Sequence, residues 1–151
     1  MTTQTVPPGL AALHAEMSRQ HQDSLESYEG NGDIARTIAA ALRANSRLVL
    51  LGMGASHAVN RMVEPIYRAL GTKAVSLPLS EQLYAPLDLS DAVVMVTSQS
   101  GESVEVHRLL EILGRRGDLF GLTLEGGSTL AQSCPSLIGR ASCRERVSCC
   151  V

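Results

Sequence analysis

The chain of 151 residues has no tryptophan, one phenylalanine and three tyrosines. So few aromatics argue against a surface that binds nucleic acid by stacking bases. Charge of neither sign dominates: Lys and Arg number 13 against 15 Asp and Glu, a net charge of -2. Nothing global therefore draws the chain to nucleic acid or to an anionic membrane. No apolar run approaches the roughly 20 residues that span a bilayer. The start, MTTQTVPPGL, lacks the basic residues and apolar core of a secretory signal, so a cytoplasmic protein is expected. Cysteine is scarce too. Cys134 stands alone in the body, while Cys143, Cys149 and Cys150 crowd the C-terminus without spaced histidines elsewhere to complete a metal site.

The C-terminal stretch has a plainer reading. Ile138-Gly139-Arg140-Ala141-Ser142-Cys143-Arg144-Glu145-Arg146-Val147 looks like the translation of a common sequencing-adapter oligonucleotide, and it shows no hydrophobic period. Residues 138–151 are therefore expected to be a non-native tail, with the natural chain cut short near Leu137. Residues 1–9, polar and Pro-rich, read as a frayed terminus. One domain over residues 10–137 remains.

Within it, Leu10, Leu13, Met17 and Leu25 recur at helical spacing over residues 10–28. A turn at Gly30-Asn31-Gly32-Asp33 follows, with Asp33 suited to cap a helix over 34–44. The pattern then alternates. Apolar strands are predicted at 47–51, 73–77, 92–97 and 118–124. Helices are predicted at 57–70, 80–84 and 104–115, and another opens near Thr129. The first of these carries Val59, Met62, Val63, Ile66 and Leu70 on one side, with Pro65 expected to kink or interrupt it and Gly71 to stop it. Strands apolar on both faces, alternating with helices, imply an α/β three-layer sandwich with a parallel sheet wound by right-handed crossovers.

Ligands in such sheets bind beyond the carboxyl ends of the strands. Three loops of small and hydroxyl-bearing residues fall there: 52–56, 98–103 and 123–128. In the middle one, Ser98, Ser100 and Ser103 precede a helix, where they either cap it or present neutral donors to an anion beside the helix dipole. Convergence of three such loops on one rim favours the anion. No Lys or Arg lies within them, which suits one phosphomonoester better than a triphosphate. Gly52-Met53-Gly54 is no dinucleotide fingerprint, because His57 stands where the third glycine belongs, and no phosphate loop of the G-x-x-x-x-G-K-[ST] type occurs. No cofactor and no metal is implied.

Gly52-Met53-Gly54-Ala55-Ser56-His57 followed by Thr97-Ser98-Gln99-Ser100-Gly101-Glu102-Ser103 resembles the sugar isomerase (SIS) domain family. It is similar in particular to the first SIS domain in the isomerase portion of glucosamine-6-phosphate synthase and in its deglycase and aldose–ketose isomerase relatives. The resemblance spans about 10–137 and implies a flavodoxin- or Rossmann-like sheet, here truncated. It implies that Ser56, Ser98, Gln99, Ser100 and Ser103 ring a sugar phosphate, with Gly54, Glu81, Thr123 and Ser128 as outlying members. Ala55 departs from the family's usual Thr, and His57 from a frequent aromatic. Glu102 is a general base by chemistry, yet a carboxylate at a helix start is also favoured electrostatically.

Three functions follow from the resemblance. The first is the N-terminal half of an amino-sugar or fructosamine phosphate isomerase, deaminase or deglycase without a glutaminase, since Thr2 stands where that domain needs a nucleophilic Cys. In that case the acid/base residues are expected in a second half, and the parent is expected to be a homo-oligomer, a dimer. The second is a single-SIS sugar-phosphate isomerase acting as an oligomer. The third is a non-catalytic sugar-phosphate sensor. The implied partner in each case is a phosphorylated sugar or amino sugar, with neither nucleic acid nor membrane involved.

Overall fold

Apolar segments bounded by glycine, proline and polar residues form strands here because both of their faces are covered. The computed structural model describes residues 7–140, so Cys143, Cys149, Cys150 and the start of the expected frayed terminus lie outside the described residues. The elements run α1 Pro8–Gly30, α2 Gly32–Asn45, β1 Arg47–Gly52, α3 Gly54–Ala69, β2 Lys73–Pro78, α4 Leu79–Tyr84, β3 Val93–Thr97, α5 Val104–Leu113, β4 Leu119–Thr123, α6 Thr129–Ser133 and β5 Ser136–Ile138. All strands are parallel, in the order β2-β1-β3-β4-β5. The α/β expectation holds.

Two units divide the chain. One, Asn31–Gly139, holds the sheet and helices α2 to α6; the other holds α1 together with Arg140. In the latter, the Arg140 N–H donates to the Ser27 hydroxyl at 2.7 Å, and its guanidinium meets Glu26 at 2.6 Å.

Side chains of the sheet alternate between two apolar layers. Val49, Leu51, Val94, Val96 and Leu119 pack with Leu79, Val106, Leu109 and Leu130 from α4, α5 and α6. Leu48, Leu50, Val93, Met95 and Phe120 pack on the other face with Ile38 of α2, joined by Val63 and Tyr67 of α3. The helix connecting β1 to β2 thus covers one face, and those leading onward through β3, β4 and β5 cover the other. Right-handed crossovers require this, because the strand order reverses direction at β1.

Helix α3 departs from the sequence reading in its facing. Of the expected stripe, Val63 packs against the core, but Val59, Met62, Ile66 and Leu70 lie at the surface, Met62 and Leu70 each 75% exposed, and the buried residues of α3 are Asn60 and Glu64. Glu64 is held by Arg61 at 2.6 Å and by Arg68. Periodicity locates a stripe on a helix but not the side it faces. Pro65 does not interrupt the helix, whose assignment continues to Ala69.

The fifth strand has no counterpart in the sequence reading. It is three residues long, ends on Ile138 and pairs with β4 through Gly121, Leu122 and Thr123. Its open edge is closed by one side chain: Asn31 Nδ2 donates to the Ile138 carbonyl at 2.8 Å, and Asn31 Oδ1 accepts the Ile138 N–H at 2.8 Å. An amide side chain thereby imitates a neighbouring strand and blunts an edge. That use explains why Asn31, the N-cap residue of α2, makes no side-chain capping bond, and Asp33 falls inside the helix instead of capping it. Asn31→Ala is expected to lower the unfolding free energy by about 1–2 kcal/mol. It should also speed amide hydrogen exchange at Ile138; urea titration with exchange monitored by NMR checks both.

Candidate functional site

The crevice that the topology provides lies where the strand order turns back, between the carboxyl ends of β1 and β3. There Gly52 and Thr97 are register partners. The residues singled out in the sequence sit along this rim in the order of the strands: Gly54 and Ser56 in the first turn of α3, Ser98 to Ser103 after β3, Thr123 and Ser128 after β4. Glu81 lies one strand further out, exposed in the first turn of α4.

The 98–103 loop is built by its own hydroxyls. Ser98 Oγ accepts the Gly101 N–H at 3.1 Å, Ser100 Oγ the Glu102 N–H at 3.2 Å and Ser103 Oγ the Val106 N–H at 3.3 Å. Ser103 is therefore the N-cap of α5. Each hydroxyl spends a lone pair in this way and keeps its proton, so each remains a donor. Ser98 is buried at the loop's base, and Gln99 and Ser100 are exposed.

The loop after β4 is fastened to it. The Gln99 carbonyl accepts the Leu124 N–H at 3.0 Å and the Thr123 hydroxyl at 3.1 Å, and the Leu130 N–H donates to the Gly101 carbonyl at 3.2 Å. Ser128 Oγ caps α6 through the Ala131 N–H at 3.3 Å. The two loops touch so closely at Gly101 that a Cβ there would overlap the Ser128 hydroxyl and lie 3.1 Å from Thr123 Oγ1. Its φ of 65° is also one that side chains resist. Thr123 and Ser128 thus support the loop, Thr123 from a fully buried position.

Glu102 completes the fastening. Its carboxylate accepts the Thr129 N–H at 2.5 Å and the Thr129 hydroxyl at 3.0 Å, and it meets His107 Nε2 at 2.9 Å. The Thr129 backbone bond, then its hydroxyl and His107, hold the Glu102 pKa below the ordinary carboxylate value. A carboxylate engaged in this way is a latch on the head of α6, which favours the electrostatic reading of Glu102 over the general base. His57 is likewise engaged, its Nδ1 lying 3.2 Å from the Ser76 hydroxyl on β2.

Three residues escaped the sequence reading. Met53 Sδ accepts the Ser80 N–H at 3.4 Å, tying the first loop to α4. Thr97 Oγ1 donates to Asn60 Oδ1 at 2.8 Å, tying α3 to the end of β3. Asn60 carried one signal that could have found it: it stands four residues after Ser56, on the same helical face. Elsewhere, a hollow of about 530 Å³ lined by Arg115, Arg116 and Pro135 lies at the far ends of α5 and α6. Arg116 there is committed to Asp118 and to the Leu89 and Ala92 carbonyls. Among the described residues no three His, Cys, Asp or Glu are grouped to hold a metal, and no helix is long and apolar enough to cross a membrane.

The Glu102 latch has a defined pH window. Because its folded-state pKa is depressed, its contribution is complete above the unfolded value near 4.5 and fades as pH falls through the folded value. The difference in melting temperature between wild type and Glu102→Gln should therefore be present at pH 7 and close in acid, as scanning calorimetry from pH 7 to 3 would record.

No family model matches the chain. The arabinose 5-phosphate isomerase KdsD of Yersinia pestis is 27% identical over 123 residues, which is 77% of this chain and 37% of that protein. The chain spans about two fifths of the length of the curated relatives it matches. Among solved structures, E. coli CFT073 c3406 in complex with a phosphosugar superposes with a TM-score of 0.67 at 24% identity, covering 87% of this chain and 74% of that one. The sugar isomerase domain of the RpiR transcription factor from Sphaerobacter thermophilus gives a TM-score of 0.62 at 18% identity, covering 83% and 74%. The chain thus has the fold of the sugar isomerase (SIS) domain.

Proposed function

We propose that the chain binds the phosphate of a phosphorylated sugar or amino sugar at the rim of β1 and β3. Ser98, Gln99, Ser100 and Ser103 surround the phosphate from one side, and Ser56 meets it from the head of α3. Gly54 leaves the approach to Ser56 open, while Thr123 and Ser128 brace the loop and Glu81 borders the sugar. The observation that carries this reading is the hydroxyl set: the three serines of the 98–103 loop accept backbone N–H groups and so keep their protons for an anion. Two helix N-termini, those of α3 and α5, add partial positive charge without a cation.

The kinds of protein that share the fold support the ligand class. KdsD is named for arabinose 5-phosphate, and c3406 carries a phosphosugar. In our reading the chain is the N-terminal SIS part of a larger cytoplasmic, homo-oligomeric enzyme acting on an amino-sugar or fructosamine phosphate, by isomerisation, deamination or deglycation. The engagement of Glu102 and His57 within the domain favours a division of labour. This half holds the phosphate, and acid/base groups outside it move the protons.

A second reading has its own support. The matched structures of c3406 and the RpiR domain are each covered to 74%, so a single domain of this size also occurs as most of a protein chain or as a regulator's ligand domain. Turnover separates the readings: a sensor binds without converting, whereas a single-SIS isomerase interconverts aldose and ketose phosphates.

Fructose 6-phosphate or glucosamine 6-phosphate at millimolar concentration should raise the melting temperature by mass action. Ser98→Ala should weaken binding by about 1–2 kcal/mol, the scale of a hydrogen bond to a charged group. Isothermal titration measures that loss, and wild-type affinity in Ser98→Ala would reduce the loop to a helix cap.

A further inference from the structure

Asn60 occupies a position that stability alone would give to an apolar side chain. Helix α3 turns Val59, Met62 and Ile66 outward, yet it buries Asn60 to 2% exposure. The amide is half used. Its Oδ1 accepts the Thr97 hydroxyl at 2.8 Å, but Nδ2 has no hydrogen-bond partner, alone among the buried side-chain nitrogens and oxygens of the described residues. An unmade bond at such a site destabilises, and replacing both partners by apolar groups of similar shape is typically neutral or better.

What the amide provides is geometry. Through Thr97 it reaches the last residue of β3, immediately before Ser98. On its other side Nδ2 lies 3.0 Å from where a Cβ on Gly52 would stand, so the side chain also bears on the last residue of β1. The same point is 3.0 Å from the His57 nitrogen and from the Ser56 carbonyl carbon. One side chain thus meets the exits of both strands and lies one helical turn beyond Ser56. A larger residue at position 52 would force that contact apart.

We propose that Asn60 is the positioning residue of the rim, setting the separation between the head of α3, with Ser56, and the 98–103 loop. It rests on the sugar-phosphate reading for its ligand, while its geometry stands without one. Asn60 touches no ligand in this proposal. It fixes how far apart the two sets of donors stand, and therefore which anion they embrace together. The stability forgone at Nδ2 is consistent with a residue retained at a functional site.

The test uses the full chain with Thr97→Val, Thr97→Ser, Asn60→Leu and the Asn60→Leu/Thr97→Val double variant. Amide hydrogen exchange is read at residues 54–56 and 98–101, and titrations are run with fructose 6-phosphate and with inorganic phosphate. Thr97→Val and Asn60→Leu should each accelerate exchange in both loops, with the double variant no worse than either. Thr97→Ser, which keeps the hydroxyl, should match the wild type. Affinity for fructose 6-phosphate should fall on the order of tenfold, as when a support behind binding groups is removed. Melting temperature should hold or rise in the double variant. Unchanged exchange in both loops, or exchange altered in one loop only, overturns the proposal and leaves Asn60 a local tie. If the wild type binds neither probe, the functional reading fails, and the exchange data alone decide whether Asn60 couples the loops. Should Asn60→Leu fail to fold, the contrast of Thr97→Val with Thr97→Ser decides it.

Discussion

The pairing of β1 with β3 is the constraint on which the rest depends. Because these strands run parallel and adjacent, with Gly52 beside Thr97, the loops that follow them must leave the same edge of the sheet. Because the strand order reverses here, their helices must then part to opposite faces, α3 on one and α5 on the other. A crevice between two helix N-termini is the unavoidable result. The sequence needs only small residues at that point to keep the crevice open, and Gly52, Gly54, Ala55 and Ser56 lie at the end of β1 as Ser98, Ser100 and Gly101 lie after β3.

Residue types alone leave capping a helix and holding an anion as alternatives. In the folded chain the first does not exclude the second. A serine hydroxyl that accepts a backbone N–H at a loop is oriented by that bond, and its proton is directed away from the backbone it has just satisfied. Ser98, Ser100 and Ser103 each do this within six residues. The capping bonds give the loop its shape, and the shape presents the donors. Rigidity comes from outside, from the Gln99 carbonyl held by β4 and the Glu102 carboxylate held by α6.

How much of this was legible in the sequence depends on whether a feature is local. The strands Leu48 to Leu51 and Val93 to Val96 are apolar on both faces, a pattern that little besides a covered parallel strand produces. Strand β5 was not legible, because Ser136, Leu137 and Ile138 form no long apolar run and exist as a strand through Gly121 and Asn31. The facing of α3 failed for a related reason. A stripe of Val59, Met62, Ile66 and Leu70 is the ordinary mark of a core face, and here Asn60 and Glu64 take the inside through long-range hydrogen bonding and a local Arg pair. The place of the loop serines, after an apolar strand and before a helix, was legible because both neighbours are local patterns. Asn60 and Thr97 were not, because each is meaningful only beside the other.

The electrostatics of the rim bound what it can hold. The loops carry no Lys or Arg, and the Glu102 carboxylate within the 98–103 loop is engaged by Thr129 and His107 and turned toward α6. In the proposed reading an anion here is met by hydroxyls, backbone N–H groups and helix dipoles, none of which carries a full charge. That set matches one phosphate group with modest strength and gives little purchase on a polyphosphate, whose greater charge is ordinarily met by cations. In that reading binding is readily reversed, as a turnover site or a sensor requires. It also leaves discrimination among sugars to shape: to how far Ser56 stands from Ser98, and to what approaches the rim from outside the domain.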